Sequence, residues 1–538
     1  MAPRHVSVLI VGAGYAGLTA AAMLSLRRIS CVLVEKNNFL SRHPRAHGLN
    51  LRTLELLRQI PGLEADLHRT SRAAPGDNTV LIAETVVGRP IKTIDWPGGF
   101  DTRSLSPASL CSAGQDRVEP VLMRYALSLG AEIRFSTELA SFSQDDKVVR
   151  AVLRDAQSGN ETVIFADYLI AGDGSGSSIR KTLGVAMEGP GVLSHAISIL
   201  FEADLRKVMD GRGFLLCYIR NPEFNGAFVS CDDPDRGQLN VEYDPARESA
   251  ADYDAARCER VVRAALGQPD LNIGILDVLP WKMSAVVAER MKIERVFLVG
   301  DSAHIMPPVG GLAGQAAIQD AADLAWKLSM VVGNQAGAAL LDTYETERRP
   351  IAWLSIMRAK ENYVERLRID RSDLSEARGR LSYLEVAMSY RYRSAAISLE
   401  EPDDERLTDD VRSPSCKPGC RLAHVPLERK GELISTHDLV GDGFLVLAGP
   451  DGKMWVDAAR AIAQRSLAPI TAFRVDGDIF DVDNAFLART GLGRDGALLV
   501  RPDGFVAWRS ASSQIDAEGL MACAMARALF VPAERFLA

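Results

Sequence analysis

A chain of 538 residues is long enough for more than one domain. Its hydrophobic fraction of 47%, charged fraction of 25% and net charge of −8 are those of a globular protein, and with no basic stripe, nucleic acid is not an expected partner. Eight scattered cysteines do not form a secreted disulfide framework, and no apolar run reaches membrane-span length, so a cytoplasmic protein with reduced thiols and no membrane partner is expected.

The chain opens on charged MAPRH followed by apolar VSVLIVGAG. That apolar run is short and passes directly into a glycine pattern, so it reads as a strand and not as a cleaved signal. Val6–Val11 is β-branched and continuous, as a buried parallel strand is. Gly12, Gly14 and Gly17 follow, then a helix over Leu18–Arg27 and a second strand, Cys31–Val34, ending at Glu35. Strand, G-x-G-x-x-G, helix, strand and acid within about 30 residues is the pattern of a dinucleotide site. Gly12 permits a tight turn, Gly14 lets backbone approach a diphosphate, and Gly17 lets helix and strand pack closely. The helix start offers free N–H groups to phosphate, and Glu35 is placed to accept ribose hydroxyls.

Tyr168–Ala171 reads as a strand entering Gly172-Asp173-Gly174, with Ser177, Ser178 and Arg180 opening a helix. A plain strand–turn–helix with capping serines has the same appearance. Ala196–Ala203, Gly213–Ile219, Asn225–Val229 and Gln238–Tyr243 read as strands of an antiparallel sheet. Val296–Val299 is another buried strand, ended by Gly300-Asp301, and a helix runs from Gly314 to Leu328. Between them stand His304, Pro307, Pro308, Gly310 and Gly311, an irregular loop with exposed N–H groups. Such a loop and helix start would stabilise negative charge by about 0.3–2 kcal/mol. Glu361–Arg368 lies on a long helix, where Arg366 by itself reads as a solvated arginine.

Ser413–Gly419 is rich in Pro, Ser and Gly and marks a boundary. Beyond it, Phe444–Ala448 and Ala497–Val500 read as strands around a helix, Trp455–Ser466, and Arg501–Arg509 as a hairpin strand. Gly491, Gly493 and Gly496 also match G-x-G-x-x-G, but there the helix precedes and the strand follows, so they read as a turn. One dinucleotide fold is therefore expected. Cys416 and Cys420 form C-x-x-x-C without two further ligands nearby, so they read as free thiols, and no metal site is expected.

Together these segments resemble the group A flavoprotein aromatic hydroxylases, the para-hydroxybenzoate hydroxylase superfamily. Pro44–Arg58 resembles its arginine-bearing segment and Gly114–Leu122 its glutamine-bearing helix start. The likeness runs over nearly the whole chain and is strongest to the polyketide-tailoring branch that includes the aklavinone hydroxylases. The resemblance implies FAD as cofactor. Gly12, Gly14, Ala16, Gly17, Glu35 and Lys36 would hold its ADP part. Arg45 and Gln115 would contact the diphosphate and ribityl region, and Leu139 would lie near the adenine. Asp301, beside Gly300, would bind the ribityl chain, while Pro308, Gly311, Leu312, Ala313 and Gly314 would line the flavin. Asp173 and Arg180 would serve both FAD and NADPH. Gln315 departs from an asparagine common in relatives and is not counted in the site.

In the same branch, the position of Tyr218 is assigned as proton acceptor and that of Arg366 as a substrate contact. A phenol base needs a lowered pKa or a proton relay; a tyrosine packed in a half-buried strand is the other reading. The implied fold is α/β, with a discontinuous Rossmann-like FAD-binding domain over 1–185 and 286–370. An antiparallel β-sheet substrate domain would span 186–285 and a helical linker 371–414. A thioredoxin-like domain without C-x-x-C would span 415–538, structural or for dimerisation, so a homodimer is an open option. The implied reaction is hydroxylation of a phenolic or polycyclic aromatic substrate by O2 and NADPH, or NADH, through a flavin C4a-hydroperoxide. Baeyer–Villiger insertion, epoxidation, a flavin dehydrogenase or oxidase without oxygen insertion, and a non-catalytic FAD protein stay as alternatives.

Overall fold

A computed structural model describes residues 4–41, 43, 45–71, 79–95, 101–206, 208–209, 212–222, 224–367, 381–400, 405–466, 468–512 and 514–537. The continuous apolar runs form a parallel layer. Arg4–Val11 lies between Glu161–Ala171 and Cys31–Val34, with Val296–Leu298 beyond the first and Glu132–Arg134 beyond the second. Strands this apolar require cover on both faces. Helix Tyr15–Leu26 packs on both Gln115–Ser128 and Ala313–Val332. It begins at Tyr15, ahead of the expected Leu18, because Gly14 is its N-cap.

The second sheet has eight strands, ordered 304–305, 274–288, 187–202, 236–243, 225–233, 216–220, 79–83 and 92–95. Its pairings are antiparallel except Leu216–Arg220 with Thr79–Ala83. Two of its strands thus come from residues 79–95, outside the expected 186–285 segment. Parallel pairing between distant segments has no local signature, since the partner is chosen by the fold. Helix Ala255–Leu266 packs under this sheet through Cys258, Val262 and Leu266. His304–Ile305 pairs with Val286–Val287, which stitches the loop after Asp301 into the sheet edge.

Within 371–414, the described residues hold one six-residue helix, Tyr383–Met388; residues 371–380 and 401–404 lie outside the described set. The C-terminal sheet is ordered 470–474, 444–448, 497–500 and 506–510. Its parallel pair, Phe444–Ala448 and Ile470–Arg474, is bridged by helix Lys453–Arg465. Gly491 ends helix Phe486–Thr490 in a left-handed conformation before strand Ala497–Val500, so the second glycine pattern is a turn. No helix among the described residues is long and apolar enough to cross a membrane.

Trp326 and Met330, on helix Ala313–Val332, are buried in one cluster with Phe444, Val446, Trp455 and Met521 of the C-terminal unit. The same helix packs on Tyr15–Leu26. Arg421 reaches Glu55 from the C-terminal side, and Arg501 donates to Glu347 at 2.6 and 2.8 Å. Asp323, Glu347 and Asp503 come close enough to hold a cation, but Lys327 and Arg501 already pair with them in a buried ion network. Cys416 and Cys420 are free and buried, and burial lifts their thiols to about 11 and about 12.

Candidate functional site

The three glycine motifs meet in space. Gly12 has φ +102°, and a Cβ there would lie 2.2 Å from the Gly172 carbonyl oxygen, so the first turn sits on the second. A Cβ on Gly17 would lie 1.9 Å from the Gly12 carbonyl oxygen, so helix and turn touch backbone to backbone. Gly300, with φ +58°, packs on Ala16 and Ala317, which brings the third motif to the first. Gly314 abuts the ring of Tyr15 and Ala46. Ser302 Oγ donates to the Ala171 carbonyl at 2.6 Å, and Arg180 Nη1 to the Ser302 carbonyl at 2.8 Å. Arg180 is thereby a buried clamp between the second and third motifs.

The acidic groups of the site are sharply differentiated. Glu35 Oε2 accepts from Ala13 N at 2.9 Å, while its Oε1 accepts from Asn37 N and Nδ2 at 2.9 and 2.6 Å. Lys36 is exposed beside it, and Leu139 lies half-buried on strand Thr137–Gln144. Asp173 Oδ2 accepts from Ile179 N at 3.2 Å, and its Oδ1 is buried without a hydrogen-bond partner. Asp301 is exposed, yet the protein around it pushes its carboxyl up, with His304 and Arg45 pulling the other way. Glu119 is 1% exposed, and burial lifts its carboxyl to about 7, opposed by Gln115 and Arg45. The Arg45 charge favours the ionised form of both Asp301 and Glu119. Pro44, next to it, lies outside the described residues.

Beneath Asp301 is a buried anchor that has no sequence signature. Asp320 Oδ2 accepts from Gly300 N at 3.1 Å and meets His304 Nε2 at 2.7 Å. Arg348 Nε donates to its other oxygen at 2.8 Å, and Arg348 Nη1 reaches Tyr392 Oη at 3.0 Å. On the other flank, Gln315 joins segments instead of facing a ligand: its Oε1 accepts from Asn50 N and its Nε2 donates to the Gly48 carbonyl. Asn362 Nδ2 donates to the Val309 carbonyl at 3.3 Å, holding the loop of Pro308 and Gly311.

The sheet face beside that loop is apolar. Val80, Ile82, Tyr218, Met283, Val309 and Tyr363 form one buried cluster. Arg366 is half-buried, not a freely solvated helix arginine, with its guanidinium carbon 6.0 Å from the Tyr218 ring centroid. Burial raises the Tyr218 pKa above 10.0; Arg366 acts against that shift without reversing it. A lowered phenol pKa, the first of the two conditions for a base, is therefore absent.

The FAD binding domain family matches residues 5–359, and the aromatic-ring hydroxylase C-terminal family matches residues 415–530. The chain belongs to the FAD-dependent aromatic-ring hydroxylases. Among similar members of this hydroxylase family is aklavinone 12-hydroxylase RdmE of Streptomyces purpurascens, 40% identical over 96% of this chain and 97% of its own. Tetracenomycin A2 monooxygenase-dioxygenase of Streptomyces glaucescens is 40% identical over 98% of each chain. The crystal structure of aklavinone-11 hydroxylase with FAD and aklavinone superposes with a TM-score of 0.93 at 38% identity, covering 98% of this chain and 100% of that one.

The residues of this hydroxylase fit FAD. The helix behind Gly14 has no side-chain cap, so its first N–H groups stay available to a diphosphate. Among the described residues, only Glu119 Oε1, at 3.8 Å, lies near the space a Gly14 side chain would fill. Asp173 offers an unused acceptor oxygen. Helix Ala313–Val332 likewise starts without a side-chain cap, beside Gly311 and Leu312. The sequence reading missed Glu119, Asp320 and Asn362. Only Glu119 had a signal, its i,i+4 spacing from Gln115 on one helix face.

Proposed function

We propose that this hydroxylase inserts one oxygen atom of O2 into a phenolic, polycyclic, polyketide-like ring, with NADPH as electron donor. The observation that carries this reading is the Tyr218–Arg366 pair on an apolar sheet face against Val309 of the third motif. The complex of the related enzyme with aklavinone supports a flat multi-ring substrate. FAD, when bound, supplies the redox chemistry with NADPH and oxygen.

The chain's own residues bind, orient and shield. Gly12, Gly14, Ala16, Gly17, Glu35, Lys36 and Leu139 hold the ADP half. Arg45, Gln115, Asp173, Gly300 and Asp301 hold the diphosphate and ribityl chain, and Pro308 with Gly311–Gly314 borders the flavin. The apolar side chains around Tyr218 exclude water from the reacting ring. Arg366 pairs with the ionised phenol of the substrate. Tyr218 stays a neutral phenol, so it accepts the substrate proton while passing its own onward and does not store charge. The architecture follows: a Rossmann-like FAD-binding domain, a β-sheet substrate domain and a thioredoxin-like C-terminal domain that has no C-x-x-C. Among the described residues only Gly12–Gly17 places G-x-G-x-x-G between a strand and a helix in that order, so NADPH visits the flavin without a second dinucleotide domain.

The test is NADPH consumption by the purified holoenzyme with a panel of polycyclic phenols under labelled oxygen gas. Label in a new ring hydroxyl supports the reading. Label in an enlarged ring or epoxide moves the reaction to Baeyer–Villiger insertion or epoxidation, and unlabelled product to a dehydrogenase. In Tyr218→Phe, FAD content is expected to stay at the wild-type level while hydroxylation slows by about a hundredfold or more. Unchanged turnover removes Tyr218 from the reaction.

A further inference from the structure

Gly14 caps the first helix, and its missing side chain opens the space through which a diphosphate reaches the helix N–H groups. Among the described residues, the side chain bordering that space is a carboxyl: Glu119 Oε1 lies 3.8 Å from a Cβ placed on Gly14. Glu119 sits one turn into helix Gln115–Ser128, 1% exposed, and Gln115 Nε2 donates to its Oε1 at 2.5 Å. An acid is therefore buried beside the site that must receive two phosphate charges.

The charges around Glu119 deepen the conflict. From its own helix, Asp116 opposes its ionisation and Gln115 favours it. Glu35, at the end of the second strand, opposes it, and the Arg45 cation favours it. From helix Tyr15–Leu26 comes the phenol of Tyr15, which is buried without a hydrogen-bond partner. Burial is the largest influence and holds the free carboxyl near neutrality, at about 7. Two further negative charges in a poorly solvated pocket disfavour the carboxylate more. The diphosphate itself stays ionised throughout this range, so the carboxyl is the group that yields.

We propose that Glu119 is a proton-carrying member of the cofactor cradle, taking up a proton as the FAD diphosphate settles against Gly14. Cofactor binding and protonation are then linked: each strengthens the other by the same factor. Affinity for FAD is constant below the titration of free Glu119 and falls above it, by at most about tenfold per pH unit. The neutral carboxyl still accepts the Gln115 amide, so the amide stays aimed across the site. This deepens the cofactor reading and rests on the Gly12–Gly17 turn being the diphosphate site.

The experiment titrates the apoprotein, freed of FAD, with FAD from about pH 6 to about pH 9, following flavin fluorescence. Calorimetry at about pH 8 in buffers of different ionisation heat counts the protons taken up. Wild type is expected to gain up to about one proton per FAD and to lose affinity with rising pH. Glu119→Gln is expected to bind as tightly as wild type at low pH, with a flat profile and no uptake. Glu119→Asp, which withdraws the carboxyl from Gly14, is expected to keep a sloped profile with a displaced midpoint. Tight wild-type binding with no uptake overturns the proposal while leaving the cradle intact. Uptake that survives Glu119→Gln assigns the proton elsewhere, Asp116 and Asp301 being two other carboxyls pushed up nearby, and also overturns it. If Gly14→Val binds FAD like wild type, the diphosphate reading itself fails.

Discussion

Tyr218 and Asp320 show how little a residue's chemistry is visible in its type alone. A tyrosine in a β-strand is ordinary until the long helix returns to lay Arg366 beside it. Even then burial outweighs the guanidinium, so the phenol titrates above its usual value and donates or relays through neutral pH. Asp320 lies on a helix that reads as a plain core element, yet both its oxygens are committed, to Gly300 N–H and His304 on one side and to Arg348 on the other. Removing one member of a fully buried charged group leaves the others unpaired. Asp320→Ala is expected to lose about 3–5 kcal/mol of folding stability in denaturant titrations and to shed FAD on desalting. A loss below about 1 kcal/mol would show that Arg348 and His304 find other partners.

At the scale of elements, the glycine turns separate positions pressed against backbone from positions with open space beside them. Gly17 faces the Gly12 carbonyl oxygen at 1.9 Å from a would-be Cβ, so even alanine forces backbone apart. Gly14 has open space to 3.8 Å. Gly17→Ala is expected to unfold or strongly destabilise the chain. Gly14→Ala is expected to keep apoprotein stability within about 1 kcal/mol while weakening FAD binding, as thermal melts and FAD titration would show. Equal damage from both would mean that the turn acts only as packing. The strand–turn–helix order was legible because each part has a local cause: β-branched runs, a glycine that tolerates φ +102°, and an uncapped helix start. The same logic demoted Gly491–Gly496, where the helix comes first.

Across the whole molecule, the C-terminal unit is bound to the flavin layer by charge as well as by apolar packing. Trp326 meets Phe444 edge to face at 6.2 Å, and the Glu55–Arg421 and Glu347–Arg501 pairs are all but fully buried. Two histidines lie in this zone. Burial, then Arg421, lowers His424 to about 4, and burial lowers His437 to about 3, with Glu55 opposing. Unfolded, each takes a proton below about 6.5; folded, each stays neutral until far lower pH. The unfolded state thus binds more protons on acidification, and stability present above about 6.5 falls as pH drops toward 4 and 3. Each histidine contributes a slope of up to about 1.4 kcal/mol per pH unit, readable in urea midpoints. The substitutions His424→Gln and His437→Gln, which remove the titrating imidazoles, are expected to flatten that slope.

The amino-acid sequence by itself determined the strand–glycine turn–helix at the start, the order of the three glycine motifs and the antiparallel strands between the second and third. Each of these rests on local sterics or on periodicity along a few consecutive residues. Tertiary structure alone decided that strands from 79–95 complete the second, mostly antiparallel sheet, that Arg366 stands over Tyr218, that Asp320 anchors Gly300, and that Glu119 borders Gly14. Those outcomes depend on which distant surfaces meet and on how far burial shifts a charge, and neither quantity is a property of any short stretch of chain.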